Sequence, residues 1–409
     1  MTPKHWSRMP LGNFVTLQRG HDLPEERRRP GNVPILGSFG ITGWHDEAKV
    51  RGPGVTVGRS GASFGVVSYS PIDFWPLNTA LYIVNFHGNI ERFAYYFLKH
   101  LNFQGYNSGS AQPSLNRNFI HPIPLDVPPL SEQSAIAHVL GALDDKIELN
   151  RRMNETLEGI ARAIFKSWFV DFDPVRAKAE GRDPGLPKPI ADLFPERFED
   201  SELGNIPKGW QAGEFNDVII QRIERVGARE AIVLSAVADG ELVRSDDHFT
   251  KRVYSKETNK YLAVEQWDFA YNPSRINIGS IGMLKEPLLG AVSPVYVVFR
   301  PKPAFRWFIE FSLERAQTRE WINTLASGSV RQSLSFSDFK SIPTVIPPED
   351  VLGPFDRLWL VLRNGILARA EESRTHTAIR DTLLPKLISG ELRVKDAERF
   401  ADHGVGESA

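Results

Sequence analysis

Two long stretches of this chain carry an apolar stripe with helical spacing. Over residues 131–170 the stripe advances in steps of three and four positions. Its members are Ile136, Leu140, Leu143, Ile147, Asn150, Asn154, Leu157, Ala161, Ile164 and Trp168. Ser131 follows Pro128-Pro129 and is a suitable N-cap. A helix of forty residues is roughly 60 Å long, more than a small domain covers. The pattern therefore predicts a partner helix and a coiled coil.

The second stripe, over residues 349–389, supplies that partner. It repeats the first at a constant offset of 219 residues. The matched positions are Ile136/Phe355, Leu140/Trp359, Leu143/Leu362, Ile147/Ile366, Ile160/Ile379 and Ile164/Leu383. The middle of each stripe is polar, with Asn150 and Asn154 in the first and Arg369, Ser373, His376 and Arg380 in the second. We predict an antiparallel pair whose polar residues face one another and set the register.

The offset of 219 also relates the segments that precede the two stripes. Residues 108–129 read SGSAQPSLNRNFIHPIPLDVPP, and residues 327–348 read SGSVRQSLSFSDFKSIPTVIPP, without a gap between them. One register held over about sixty residues indicates an internal duplication, which determines the architecture.

The rest of the chain has short β-type runs bounded by Gly, Pro and Asn, and an aromatic helical pattern in each copy, at 90–101 and about 304–325. We predict an α+β chain with tandem mixed domains at 1–130 and 210–348. Long helices at 131–172 and 349–395 form the antiparallel coiled coil, with an approximate two-fold axis. Residues 173–209, rich in Pro, Gly and acidic residues, are predicted as a linker, and 396–409 as a flexible tail.

Composition narrows the class of protein. The net charge is −1, although residues 1–130 carry 12 Lys and Arg against 8 Asp and Glu. A protein that coats polyanions would be far more basic, so any DNA contact is expected to be local or assisted by a partner. The chain has no Cys, no apolar run of transmembrane length and no signal-peptide pattern at its start. We expect a cytoplasmic protein.

Catalytic motifs are missing from the sequence. There is no phosphate-binding P-loop and no metal-ligand spacing among the His residues. Residues 271–275, Tyr-Asn-Pro-Ser-Arg, match only part of the Asn-Pro motif of amino-methyltransferases and lack its second Pro and aromatic residue. We expect a non-enzymatic chain without a metal or cofactor site of its own.

Two glycine-rich loops after strands are the first candidate sites. The loop at residues 56–65 matches the loop at 271–279, with residues 57–65 aligned at an offset of 214. Such loops allow close approach to a phosphate or a groove, and Arg and Asn are common readers of guanine and adenine. The DNA-binding candidates here are Arg59, Ser60, Gly61, Ser63, Asn272, Ser274, Arg275 and Asn277. The alternative is a tight turn with a solvated Arg.

The duplicated Ser-Gly-Ser loops are the second pair of candidate sites, because their backbone and hydroxyl donors suit phosphate contacts. The candidates are Ser108, Ser110, Gln112, Asn116 and Arg117 in the first copy, and Ser327, Ser329, Arg331 and Gln332 in the second. The copies differ at Gln112/Arg331 and Arg117/Phe336, where we expect the bound half-sites to differ. The alternative is a duplicated structural turn.

Three further motifs carry a family resemblance. Residues 123–133 read IPLDVPPLSEQ, residues 167–174 read SWFVDFDP, and residues 383–392 read LLPKLISGEL. In a tandem order of globular segment and helix, they make the chain resemble the specificity subunit of a type I restriction-modification system over nearly its whole length.

The resemblance implies a function and a set of partners. Each globular domain would read half of a bipartite site on double-stranded DNA, and the helices would set the gap, about one helical turn. Methylation subunits, two of them, and restriction subunits would bind to the chain. S-adenosylmethionine, ATP and Mg would belong to those partners. The rival hypothesis is a coiled-coil scaffold that holds partners and does not bind DNA.

Overall fold

A computed structural model of the chain describes residues 5–109, 113–238, 240–249, 251, 254–255, 257–326, 333–394 and 396. The chain divides into two compact units. Unit 1 comprises residues 1–154 and 367–409, and unit 2 comprises residues 155–366. Each unit therefore contains one globular part together with part of each long helix. Within the described residues, no helix is long and apolar enough to cross a membrane.

In unit 1 the strands are β1 (Ser7–Pro10), β2 (Thr16–Arg19), β3 (Val33–Gly37), β4 (Gly40–His45), β5 (Gly54–Gly58), β6 (Val67–Ser70), β7 (Trp75–Pro76), β8 (Ala80–Asn85) and β9 (Pro124–Val127). The helices are α1 (Leu11–Phe14), α2 (Glu91–His100), α3 (Arg117–Ile120) and the start of α4 (Leu130–Phe169). One sheet has the strand order β2-β8-β5-β6, a second has β4-β3-β7, and β1 pairs with β9.

In unit 2 the strands are β10 (Phe198–Ser201), β11 (Gly204–Pro207), β12 (Gln211–Glu214), β13 (Ile219–Arg222), β14 (Ile232–Ala236), β15 (Leu242–Arg244), β16 (Leu262–Val264), β17 (Phe269–Tyr271), β18 (Ile281–Met283), β19 (Gly290–Val292), β20 (Val297–Pro301) and β21 (Pro343–Ile346). The helices are α5 (Asp173–Ala179), α6 (Lys188–Ala191), α7 (Ser245–His248), α8 (Arg306–Glu314), α9 (Ala316–Leu325), α10 (Phe336–Lys340) and α11 (Glu349–Ile388), the last shared with unit 1.

The topology of unit 1 recurs in unit 2. The sheet β13-β20-β17-β18 matches β2-β8-β5-β6 strand for strand, and β12 pairs with β21 as β1 does with β9. The parallel pair β14–β19, with β15 as the hairpin partner of β14, matches β3, β7 and β4. Unit 2 adds β16 at the edge of that sheet. The duplication predicted from sequence is thus confirmed in topology, and so is the predicted class of mixed α/β domains with two long helices.

In unit 1, α4 and α11 pack in opposite directions. One hydrophobic core contains Ile136, Leu140 and Leu143 of α4 together with Ile379, Leu383 and Leu387 of α11. Asp144 Oδ1 accepts from Arg380 Nη1 at 2.7 Å, while further along α4 the Asn150 side chain donates to Glu372 Oε2 at 2.8 Å and to Ser373 Oγ at 3.3 Å. The predicted antiparallel pairing of polar residues is confirmed at these positions.

In unit 2 the packing between the same helices is aromatic. Phe165, Trp168 and Phe169 of α4 surround Phe355 of α11, with ring centroids 5.4–6.4 Å apart. Such contacts bury large apolar surfaces and favour edge-to-face geometry. The predicted two-fold axis stays a prediction.

The start of α4 differs from the predicted N-cap. The helix begins at Leu130, so Ser131 lies in its first turn, and the carbonyl of Pro129 accepts from the backbone of Gln133 at 3.0 Å. The buried Gln133 side chain donates to Asn89 Oδ1 at 2.8 Å and accepts from the Ile90 amide at 3.1 Å. The Ser-Glu-Gln motif therefore ties α4 to the segment that leads into α2.

Two further predictions need correction. Residues 173–209, predicted as a linker, are folded: they contain α5, α6, β10 and β11, and Val175 and Phe194 are buried in the core of unit 2. The aromatic pattern at 304–325 forms two helices, α8 and α9, because Arg315 between them has an extended backbone with φ −66° and ψ 139°. Residue 396 apart, the predicted flexible tail lies outside the described residues.

Candidate nucleic-acid interface

The glycine-rich loop of unit 1 joins β5 to β6 in a closed turn. The Gly58 amide donates to the Val66 carbonyl at 2.7 Å, and the Gly65 amide donates to the Gly58 carbonyl at 2.8 Å. Residues 61–63 form a single turn of 3₁₀ helix. Gly65 has φ +81°, a left-handed conformation that favours glycine over other residues. The loop is thus held at the end of the central strand of its sheet.

The Ser-Gly-Ser segment of unit 1 packs onto this loop. The Leu115 amide donates to the Arg59 carbonyl at 2.7 Å, and the Gly61 amide donates to the Pro113 carbonyl at 3.2 Å. Asn107 Oδ1 accepts from the backbone amides of Gly109 at 2.9 Å and Ser114 at 3.0 Å. The two loops, predicted as separate sites, form one surface.

An open cleft of about 890 Å³ lies at this surface. Four of the predicted DNA-binding residues line it: Arg59, Ser108, Asn116 and Arg117. The segment Gln18–Asp22, which includes the end of strand β2, also lines it and contributes Arg19 and His21. Sequence reasoning missed this segment, although its Arg-Gly-His run at the end of a strand resembles the loops that were singled out. Ser60, Gly61 and Ser63 lie in the loop but not in the cleft lining.

The cleft side chains are positioned in different ways. Arg117 is exposed at the first position of α3, and Arg59 is half-buried, with Nη1 3.4 Å from the Asn78 carbonyl. Asn116 caps α3 by accepting from the Asn118 amide at 3.0 Å. Ser108 Oγ donates to the Ser114 carbonyl at 2.9 Å. Arg59 and Arg117 thus add to the positive charge that Arg19 brings to the cleft, while Asn116 and Ser108 also hold its backbone.

A neutral histidine supports the wall of the cleft. His121 follows α3, and its Nε2 accepts from the Leu17 amide of β2 at 3.1 Å. Burial lowers the pKa of His121, and the nearby charge of Arg117 lowers it further. Both effects favour the unprotonated nitrogen that this hydrogen bond requires.

Unit 2 repeats the backbone of both loops. The Asn272 amide donates to the Ser280 carbonyl at 3.1 Å, as Gly58 does to Val66, which is the offset of 214. The Leu334 amide donates to the Pro273 carbonyl at 3.1 Å, as Leu115 does to Arg59. Gly279, the counterpart of Gly65, has φ +90°. Both alignments drawn from sequence therefore describe equivalent backbone positions.

The side chains of the unit 2 loop are arranged differently from those in unit 1. Asn272 Oδ1 accepts from the Ser274 amide at 3.1 Å, so Asn272 stabilises its own turn. Ser274, Arg275 and Asn277 are exposed. Asn277 lines a cleft of about 860 Å³, which is also bordered by α8 and α9, whereas Arg275 is not part of its lining. Ser110, Gln112, Ser327, Ser329, Arg331 and Gln332 lie outside the described residues.

The partial Asn-Pro motif is part of the core of unit 2. Tyr271 is fully buried, its hydroxyl donates to the Leu334 carbonyl at 3.3 Å, and burial raises its pKa above the ordinary value. Asn272 is engaged in its turn. This geometry indicates a structural role for the motif.

The two copies differ at Arg117 and Phe336, which both occupy the first position of a short helix. Phe336 is half-buried, with its ring 6.5 Å from that of Phe299, and it packs against the core of unit 2. The expectation that the two half-sites differ at this position stays a prediction; Arg117 is exposed, whereas the ring of Phe336 lies against the core. Among the described residues, no group of three or more His, Asp or Glu could hold a metal ion.

Comparison with known proteins agrees with this architecture. A family model for the type I restriction modification DNA specificity domain matches residues 3–159. The specificity subunit of the type I restriction enzyme HindI from Haemophilus influenzae is 25% identical over 338 residues, 68% of this chain and 71% of the relative. The MjaIX specificity subunit from Methanocaldococcus jannaschii is 27% identical over 326 residues, 76% of this chain and 71% of the relative.

A solved structure shows the same fold. The S subunit of a type I restriction-modification system from M. genitalium superposes with a TM-score of 0.58 at 16% identity, covering 95% of this chain and 99% of that one. The duplicated mixed domains with two long helices thus form the same fold as this type I S subunit. The chain is thus similar in sequence to type I restriction-modification specificity subunits, and its residues 3–159 match the model of their DNA specificity domain.

Proposed function

We propose that the chain supplies sequence specificity to a type I restriction-modification complex. Each unit would read one half of a bipartite site on double-stranded DNA, and methylation and restriction subunits would be directed to that site. The observation that carries the proposal is the cleft of unit 1, where two duplicated loops and Gln18–Asp22 place Arg19, Arg59 and Arg117 around one opening. Named relatives are specificity subunits of such enzymes.

The chemistry of the cleft suits a DNA duplex. Arg side chains neutralise phosphates and can donate two hydrogen bonds to the major-groove edge of guanine. Arg117 is exposed, while Arg59 is partly buried and its backbone is fixed by the Thr79 carbonyl at 2.9 Å and the Leu115 amide at 2.7 Å. Arg59, whose backbone is fixed, suits a contact with a base, and the exposed Arg117 suits a contact with a phosphate. With a net charge of −1 for the chain, partner subunits would supply further phosphate neutralisation.

Partner subunits would also carry the chemistry. S-adenosylmethionine, ATP and Mg would bind to the methylation and restriction subunits, and two methylation subunits would match the two units of this chain. The length of α4 and α11 would determine the gap between half-sites. Shortening both helices by one heptad should then change the preferred spacer length.

The decisive experiment uses the chain assembled with its methylation subunit. Sequencing of modified bases in the source genome gives the target, and binding is measured to duplexes altered in one half, in the other or in both. We expect either single alteration to weaken binding and the double alteration to abolish preference. Equal binding to target and scrambled duplexes would instead favour a scaffold that does not read DNA.

A matched pair of variants tests whether the cleft contacts DNA. Arg117→Ala should weaken binding to the target, and should lower the slope of log affinity against log salt by about 0.9 if Arg117 contacts a phosphate. Arg51→Ala removes another exposed Arg, which precedes β5 at the end of the strand opposite the glycine-rich loop. The Arg51 variant should bind as the wild type does.

A further inference from the structure

An exposed aromatic ring stands at the tip of the β3–β4 hairpin in unit 1. Gly37 pairs with Gly40, so the hairpin turns through only two residues, Ser38 and Phe39. The Phe39 side chain is 65% exposed. The strand that precedes it is buried, with Ile35 at 0%. The ring of Phe39 therefore contributes little to the hydrophobic core of unit 1.

The hairpin tip is pressed against the glycine-rich loop. A methyl group built on Gly58 would lie 2.2 Å from the carbonyl oxygens of both Ser38 and Ser63. One built on Gly40 would lie 3.6 Å from Ser68 Oγ. Because no side chain fits between the tip and the loop at Gly58, the backbone next to Phe39 is held close to the residue that precedes Arg59.

Other apolar side chains are exposed around the same tip. Ile41 on β4 is 54% exposed, and Val66, which closes the glycine-rich loop through its bond to Gly58, is 42% exposed. Single exposed apolar residues are common on protein surfaces. A group of three beside a cationic cleft is characteristic of a binding surface.

DNA is the occupant that matches both features. The major groove admits a two-stranded β-ribbon, and the apolar group on its base edges is the C5-methyl of thymine. Arg19, Arg59 and Arg117 of the neighbouring cleft attract the phosphates that flank such a groove. We propose that Phe39 contacts a thymine methyl group in the half-site bound by unit 1. This inference rests on the proposed function and adds a specificity-determining residue to it.

The corresponding turn of unit 2 keeps the packing but has no aromatic ring. Residues 237–241, between β14 and β15, read Val-Ala-Asp-Gly-Glu. A methyl group built on Gly279 would lie 2.2 Å from the Ala238 carbonyl oxygen, so this tip also rests on its glycine-rich loop. The thymine contact thus belongs to the half-site of unit 1 alone.

The test removes single methyl groups from the DNA and single side chains from the protein. In the assembled complex, each thymine of the target is replaced in turn by deoxyuridine, which lacks only the methyl group. We expect one replacement, in the half-site of unit 1, to weaken wild-type binding by about fivefold. Phe39→Ala should weaken binding to the unmodified target by a similar factor and be insensitive to that replacement.

The matched control is Ile72→Ala. Ile72 is 52% exposed and follows β6, whose end pairs with the start of β5, away from the glycine-rich loop. The Ile72→Ala variant should bind its target and respond to deoxyuridine as the wild type does. The wild type, Phe39→Ala and Ile72→Ala should all have the same thermal midpoint.

The outcomes distinguish a failure of the proposed thymine contact from a failure of the proposed DNA specificity. A target without thymine in that half-site, an unaffected Phe39→Ala variant, or a variant that still responds to deoxyuridine would each overturn the methyl contact while the complex continues to discriminate its target. Failure of the wild-type complex to prefer its target over scrambled DNA would overturn the proposed function itself.

Discussion

The backbone amide of Leu115 donates to the carbonyl of Arg59 at 2.7 Å, and this bond joins two loops that lie 56 positions apart in the chain. The equivalent bond in unit 2 runs from Leu334 to Pro273 at 3.1 Å. Retention of the bond in both copies, despite the change from Arg to Pro, indicates that it belongs to the framework. The side chains that the loop exposes can then differ between the two units.

The Asn107 side chain holds the Ser-Gly-Ser segment that forms one side of this junction in unit 1. Asn107→Ala removes the acceptor for the Gly109 and Ser114 amides, so we expect faster hydrogen exchange at both. Affinity for the target should fall several-fold, with a thermal midpoint close to that of the wild type. Asn102→Ala removes a bond of the same kind, to the Gln104 amide, outside the junction. The prediction fails if both variants lose affinity equally.

The polar layer between the long helices in unit 1 should contribute to stability. Asn150 is 1% exposed and donates to Glu372, Ser373 and the Arg369 carbonyl. Asn150→Ala removes the hydrogen bonds that Asn150 donates to these three groups and should cost about 1–3 kcal/mol of unfolding free energy.

The neighbouring residue provides the control for that measurement. Leu149 is 51% exposed, so Leu149→Ala should change the free energy of unfolding by much less. A double-mutant cycle of Asn150→Ala with Glu372→Ala measures the coupling directly. A coupling of zero would show that the bond to Glu372 adds nothing to the stability of the pair.

A reciprocal exchange tests the different roles of Arg117 and Phe336. Phe336→Arg places a charge against the ring of Phe299 and should destabilise unit 2 by about 1–3 kcal/mol. Arg117→Phe alters an exposed position, so the thermal midpoint should stay the same while DNA affinity falls. Calorimetry and DNA binding on the two variants check this contrast. Equal loss of stability in both would contradict it.

A half-buried carboxyl on α11, that of Asp356, should make the stability of unit 2 depend on pH. Burial raises the pKa of Asp356 to about 7, against the opposing charges of Arg306 and Arg357, and one of its oxygens has no hydrogen-bond partner. A folded-state pKa above the unfolded value means that protonation favours folding. Its stabilising effect is complete below pH 4 and is lost as the pH rises through about 7.

Asp356→Asn should therefore raise the thermal midpoint at pH 8 and leave it nearly unchanged at pH 4. Asp350→Asn alters an exposed carboxyl at the start of the same helix and serves as the control. A wild-type midpoint that responds to pH between 4 and 7 just as the Asp356→Asn variant does would contradict this assignment.

The long helices and the duplication could be predicted because both depend on periodicity that extends over many residues. Positions such as Leu140 and Trp359 keep the apolar spacing through forty residues, so local irregularities do not hide the pattern. The break at Arg315 depends on one residue with an extended backbone, which periodicity cannot detect.

The candidate site was only partly predictable, for a different reason. The loops could be identified by their Gly, Ser and Arg content, but their association through Leu115 and Arg59 is a long-range contact. The same alignment placed Phe336 opposite Arg117, although the neighbouring ring of Phe299 draws Phe336 into the core. The folding of residues 173–209 was hidden by their Pro and Gly content, because burial of Val175 and Phe194 depends on distant core residues.

The core of unit 1 is built from segments that lie far apart in the chain. Ile379, Leu383 and Leu387, near the end of the chain, pack with Ile136 and Leu140 of the first half. During synthesis, the first segment of unit 1 cannot complete its core until α11 has been made. A premature stop codon after unit 2 would therefore damage the unit that was translated earliest, and the nascent chain would expose that apolar surface throughout elongation.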